Sequence, residues 1–341
     1  MDIAVGLDAR LGLEWGELRA MARVAEGLGF ESLWTPAGGV PDAFHVCAAW
    51  SEDTSLRTGI AVVPAARMWM PLSLAAQAAT VAMRSSGRFV LGLGTGGSGP
   101  MFWESRGLPN RPIAHMREYV RAIQLLLAGE TVTSDAPLVR LRHASLGLSA
   151  PVAAPVYLAA LGDQMLALAG EIADGALLNW ATPGRIALSR RLIAEGARRG
   201  GRDASDVPVT MYVRVCIDDD VSAARRAFGE QVVGYALAPD AGYRGLFAKM
   251  GFDAVLVDLE ARRDRGASMG ELVDAAPDEL LSAVGYFGPA SGAASACARL
   301  SAGLDETIVR IITARPGPEP VVEAMEALTP AAIRAASAGS R

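Results

Sequence analysis

SGRFVLGLGTGGSG, residues Ser86 to Gly99, is the stretch on which the fold turns. Arg88 to Leu93 is a short apolar run rich in strand formers, and glycine then takes every second place from Gly92 to Gly96. Such a run, bounded by glycine, reads as a buried strand that ends in a loop. Glycine beyond a strand lets backbone N–H groups approach a ligand that a Cβ would hold away. A tight turn without a ligand fits the same letters, so the neighbouring segments have to decide.

Outward from this stretch, strand-like and helix-like segments alternate. Short strands are read at Ile3–Leu7, Ser32–Thr35, Ile60–Val63, Phe89–Leu93, Val156–Ala160, Gly175–Asn179, Val209–Ile217 and Thr307–Ile312. Between them lie helical patterns at 15–28, 43–50, 71–83, 113–127, 164–172, 183–200, 221–236 and 291–302, with a terminal helix at 321–328. Residues 131–156 read as loop with short strands, and 239–284 as a mostly helical insertion. Eight strands separated by helices predict an α/β protein of the (β/α)8 TIM-barrel class, taken as a single domain over residues 1–341. An open doubly wound sheet is the alternative. The lack of GxGxxG between the first strand and the first helix counts against it.

Composition narrows the function classes. The chain has 341 residues, 51% hydrophobic, with a formal net charge of −5. Arginine and lysine form no basic stripe, so nucleic acid is not expected as a partner. The apolar runs are too short and too interrupted to span a bilayer. Cys47, Cys216 and Cys297 stand far apart with apolar neighbours, which predicts buried free thiols and a reducing, cytoplasmic setting.

In a parallel barrel the ligand site lies at the C-terminal ends of the strands. That rule selects Asp8 and Arg10, Pro36–Gly39, Val63–Arg67, Gly94–Gly97, Leu161–Gln164, Asn179 with Trp180, Arg214 and Thr313. At Gly162, Asp163 and Gln164 a strand passes through glycine into a helix N-terminus, where backbone N–H groups and the helix dipole suit a phosphate. Asp163 serves equally as a plain N-cap, and its charge would oppose a phosphate if turned inward. His45, His115 and His143 have no second ligand at metal spacing, so no metal is expected. No GxSxG nucleophile motif is present.

In TGIAVVP (Thr58–Pro64), SLAAQAAT (Ser73–Thr80), SGRFVLGLGTG (Ser86–Gly96), PVYLAALG (Pro155–Gly162) and AGEIADGALLN (Ala169–Asn179) the chain resembles the bacterial-luciferase-like flavin and deazaflavin oxidoreductases, above all their coenzyme F420-dependent branch. The resemblance covers nearly the whole length. It implies a cofactor at the strand C-termini, with Gly94, Thr95 and Gly96 beside the ring and Leu161, Gly162, Asp163 and Gln164 at the phosphate. It also implies a non-proline cis peptide behind the ring near Ile60–Ala61, with Val62 beside it.

The departures narrow the chemistry. Where sugar-phosphate dehydrogenases of the family carry an Asp–His pair after the second strand, this chain has Ala37 and Gly38. An acid of the glycine loop is Gly97, an Asn beyond it is Pro100, and the usual proline after the phosphate-loop glycine is Asp163. Alcohol oxidation by that mechanism is therefore not expected.

Two enzyme readings stay open. An F420H2-dependent reductase, ranked first, would pass hydride to a C=C or C=N bond of a small-molecule or peptide-sized organic substrate, with His115, Tyr119 or Asp8 as proton donor. An FMN-dependent monooxygenase would place His45 near the ring. A non-catalytic flavin-binding barrel is the third reading. The family habit and apolar helix surfaces imply a homodimer.

Overall fold

The computed structural model describes residues 1–64, 69–96, 110–238 and 242–339. Its strands are β1 (Asp2–Gly6), β2 (Ser32–Thr35), β3 (Arg57–Pro64), β4 (Phe89–Gly94), β5 (Val132–Asp135), β6 (Arg140–Ala144), β7 (Val156–Ala159), β8 (Gly175–Asn179), β9 (Val209–Ile217), β10 (Gly285–Gly288) and β11 (Glu306–Ile312). The main sheet runs β10-β9-β11-β1-β2-β3-β4-β7-β8, and a further pairing of β9 with β8 returns the order on itself. The result is a closed parallel (β/α)8 barrel made of the eight strands expected from sequence. β5 and β6 form a separate antiparallel pair within the stretch read as loop with short strands. The sequence reading did not foresee β10, which adds in parallel to the second half of β9. Nor did it foresee the closing helix Pro330–Gly339.

Contacts along the chain gather into two compact units, residues 32–177 with 189–210 and residues 1–31 with 178–188 and 211–341. In the first, β2, β3, β4, β7 and β8 pair in parallel, for example Thr58 with Phe89, Leu91 with Val156 and Tyr157 with Gly175. All six residues of β4 are buried. That is the reason its sequence is an apolar run instead of an alternation.

Glycine sets how close the backbones come. A Cβ on Gly92 would collide with the Ile60 carbonyl oxygen and reach within 2.5 Å of Leu177 Cδ1. On the outer layer, Gly170 of the helix Asp163–Ile172 abuts the Ile193 carbonyl, and Gly196 of the helix Pro183–Arg199 abuts the Ala167 carbonyl. The two helices thus meet backbone to backbone.

In the second unit, β1 pairs with β11 from Asp2–Glu306 to Gly6–Arg310. Helices fill the 243–284 region, as expected for the insertion. No described helix is long and apolar enough to cross a membrane.

All three cysteines are buried free thiols, as their apolar neighbours predicted. Burial raises each pKa, to about 12 for Cys216 and Cys297 and further for Cys47. Thiolate is the reactive form. A thiol-disulfide reagent such as DTNB should therefore titrate no thiol in the native protein at pH 8 and three after denaturation; rapid native labelling would contradict the burial.

Candidate active site

The first unit carries most of the residues expected to meet a cofactor, at the C-terminal ends of β2, β3, β4 and β7. The non-proline cis peptide lies between Ala61 and Val62, one bond beyond the expected position. At this point the β3–β4 register shifts between Ile60 and Val63. The Ala37 N–H donates to the Val62 carbonyl at 3.3 Å, bringing the second-strand loop against the bulge. Gly94 lies on the same spot, where a Cβ would stand 2.8 Å from Val62 Cγ2. Ala37, Ala61, Val62 and Gly94 thus form one compact apolar surface, with half-buried Thr95 and exposed Gly96 following it. Ile60 lies fully inside the barrel wall. Gly97, Pro100 and residues 65–67, singled out from sequence, lie outside the described residues.

Gly162 is the N-cap of the helix Asp163–Ile172 and contributes no side-chain cap. It has extended backbone (φ −93°), and among the described residues no neighbouring atom lies within 4 Å of where a Cβ would stand. Asp163 and Gln164 are exposed in the first turn, and Leu161 is half-buried.

The expected proton donors separate. Tyr119 is buried on the helix Pro112–Leu127 and donates its hydroxyl to the Trp69 carbonyl at 3.0 Å. His115 is buried on the same helix, edge-on to Tyr119 with ring centroids 5.8 Å apart. His45 is 79% exposed, its Nδ1 2.8 Å from Asp42 Oδ1. Asp42 also caps the helix Ala43–Asp53 that carries His45, accepting from the Phe44 and His45 N–H groups.

Asp8 belongs to the second unit and forms a buried ion pair with Arg310. Its other oxygen accepts from the Arg10 N–H at 2.8 Å, capping the short turn Ala9–Leu11. Asp8 is thus engaged by two donors, the Arg310 guanidinium and the Arg10 N–H.

Around this pair the second unit builds a cationic corner. Arg214, from β9, is 1% exposed. Its Nη1 donates to Asn179 Oδ1 at 2.6 Å, and Asn179 donates its amide to the Tyr243 hydroxyl at 2.8 Å. The guanidinium lies 3.9 Å over the Trp180 ring, 5.2 Å from Tyr235 and 5.6 Å from Tyr212. Trp180 holds its place with a left-handed backbone (φ +52°), a strained conformation for a bulky residue. Among the described residues its buried Nε1 has no hydrogen-bond partner.

Burial lowers the Arg214 pKa, with Tyr235, Tyr243 and Tyr212 opposing that shift and Arg10 adding to it. Burial would raise the Tyr235 pKa, but Arg214 and Arg10 outweigh it and the net shift is downward. Tyr243 is pushed up to about 12, by burial first.

A cavity of about 130 Å³ opens here, lined by Asp8, Arg10, Arg214, Glu230, Gln231 and Arg310 among others. Asp8, Arg10, Arg214 and Thr313 were all on the sequence-derived rim. Arg310, Gln231, Tyr235 and Tyr243 were missed. Arg310 left one usable signal, a lone charge in the apolar strand TIVRII. The other three sit on helices, where the strand-end rule is silent.

Comparison with known proteins fits this arrangement. Over 304 residues the chain is 30% identical to the 5,10-methylenetetrahydromethanopterin reductase of Methanolobus tindarius, covering 86% of this chain and 89% of that one. Over 228 residues it is 31% identical to the F420-dependent glucose-6-phosphate dehydrogenase of Beutenbergia cavernae, covering 62% and 67% of the two chains. Its fold is similar to that of the coenzyme F420-dependent tetrahydromethanopterin reductase from Methanopyrus kandleri, with a TM-score of 0.76 over 96% of this chain and 98% of that one, at 22% identity. The model of the family described as luciferase-like monooxygenase matches residues 3–310. A match spanning nearly the whole barrel decides membership: the chain belongs to the luciferase-like monooxygenase family.

Proposed function

We propose that this protein is an F420H2-dependent reductase acting on a small organic substrate. The observation that carries the reading is its similarity, along most of both chains, to a methylenetetrahydromethanopterin reductase. Two further relatives, one by sequence and one by fold, are F420-dependent.

The residues present fit such a cofactor. A phosphate-bearing tail needs an approach to backbone N–H groups, and Gly162 leaves that approach open at a helix N-terminus. Asp163 is exposed enough to turn its charge to solvent. A planar ring needs an apolar support, and Ala37, Ala61, Val62 and Gly94, gathered at the strand ends, suit that role. When bound, the reduced deazaflavin supplies the hydride. The chain's own share is to hold the ring on this apolar surface, keep water from its covered face and orient the substrate.

Ala37 and Gly38, in place of an Asp–His pair, leave the second-strand loop with no acid or base at those positions. This favours reduction with proton delivery from elsewhere over alcohol oxidation. The solvent-facing Asp42–His45 pair, at the start of the helix that follows that loop, is a group that could relay a proton. Apolar Met70, Leu72, Met83 and Leu125 exposed on or beside neighbouring helices support a homodimer as part of this proposal, and the reducing setting expected of the three thiols supports a cytoplasmic one.

Fluorescence titration with oxidised F420 and with FMN tests the reading, with micromolar binding of F420 and weaker binding of FMN expected. Preference for FMN, with an oxygen adduct on rapid mixing of the reduced form with air, would reverse it in favour of a monooxygenase. Gly162→Val sharpens the test. Among the described residues no neighbouring atom lies within 4 Å of its Cβ position, so the fold should lose only about 1 kcal/mol from the altered cap. F420 affinity should fall at least tenfold.

A further inference from the structure

We propose that the cavity between Arg10, Arg214 and Arg310 seats the carboxylate of an organic acid. As a binding site it stands on the geometry of one unit alone; as the seat of the substrate's anionic end it rests on the reductase reading above.

Charge in the cavity wall is unbalanced. Of the three arginines lining the cavity, Arg310 is spoken for by Asp8. Arg10 donates to a neutral partner, Gln231, at 2.6 Å. Arg214 is fully buried, yet among the described residues its partners are the Asn179 amide oxygen, the Tyr235 side chain and aromatic rings, with no carboxylate. A buried cation with only neutral partners is costly to keep. Trp180, stacked against the same guanidinium on a strained backbone, adds a buried Nε1 with no acceptor among the described residues. A buried guanidinium that lines a cavity with no carboxylate partner among the described residues, packed against a strained Trp180 whose Nε1 has no acceptor there, is a place made for an anion.

Charge balance also selects the kind of anion. The lining carries three arginines against Asp8 and Glu230, an excess of one positive charge. A singly charged carboxylate neutralises that excess. A phosphate dianion would overshoot it and meet the repulsion of both acids. Leu11, Ala227, Ile311 and Ile312 in the wall suit a carbon skeleton behind the charge. The planar guanidinium matches the fork of a carboxylate.

The test uses the whole protein without cofactor and three probes: sodium benzoate, neutral benzamide and inorganic phosphate. Calorimetric titration should show benzoate binding at least tenfold tighter than benzamide, and tighter than phosphate. Arg214→Met should reduce benzoate affinity at least tenfold. It should also melt no lower than the parent, because it removes a buried cation that lacks a counter-ion. Glu230→Gln, an exposed change that leaves the core alone, should strengthen benzoate binding severalfold. Equal binding of benzoate and benzamide, unchanged affinity in Arg214→Met, or preference for phosphate would each overturn the proposal. A protein that binds benzoate but not F420 would fail the cofactor reading while keeping this site. Binding of F420 with no response to benzoate would do the reverse.

Discussion

Asp8→Ala is expected to destabilise the protein by about 3–5 kcal/mol, the cost of breaking a buried ion pair from one side. Both side chains are under a tenth exposed, and the change strands Arg310 in the same corner as Arg214 and Arg10. Burial already draws the Arg310 pKa down to about 10, so at neutral pH the guanidinium stays charged and needs its partner. The same substitution removes the cap on the Ala9–Leu11 turn. The double variant Asp8→Ala/Arg310→Met should recover most of the loss, because the penalty belongs to the orphaned charge and not to the pair. Urea denaturation of both variants decides this through the midpoint at constant slope. A single-variant loss below about 1 kcal/mol would show that water reaches the pair.

Gly92→Ala is the second large effect, expected to cost about 3 kcal/mol, the upper part of the range for overpacking. The methyl group would meet the Ile60 carbonyl, a backbone atom that cannot rotate aside, and Leu177 on its other flank. The contrast with Gly162→Val is the informative part. One glycine is required by protein packing and the other stands in open space, although the sequence offers both as glycines at or just beyond the end of a strand. Thermal melting should show a large drop for the first and little change for the second. Equal drops would remove the reason for assigning Gly162 to a ligand.

That contrast marks how far the sequence could be read. The strands were legible because parallel strands buried on both faces are written as apolar runs, and β4 with its flanking glycines is the clearest case. The rim at the strand ends was legible because the barrel rule converts strand boundaries into places: Asp8, Arg10, Arg214 and Thr313 line one cavity. What each glycine does was not legible, since a close carbonyl and a close ligand demand the same residue. Tyr235 and Tyr243 were hidden for another reason. They reach Arg214 and Asn179 from helices, and helical periodicity tells which face is buried but not which polar tip lies beneath it. β10, only four residues long, sat beside a helical pattern that carried the stronger signal.

The burial of Cys47, Cys216 and Cys297 has a practical side. With every native thiol shielded, the surface is chemically blank to maleimides, and a single engineered cysteine becomes an address. Placed at exposed Glu230, on the lip of the cationic cavity, it would carry an environment-sensitive dye into hearing distance of Arg214. The protein could then signal the arrival of an acid by its own fluorescence, without turnover and before any substrate has been named.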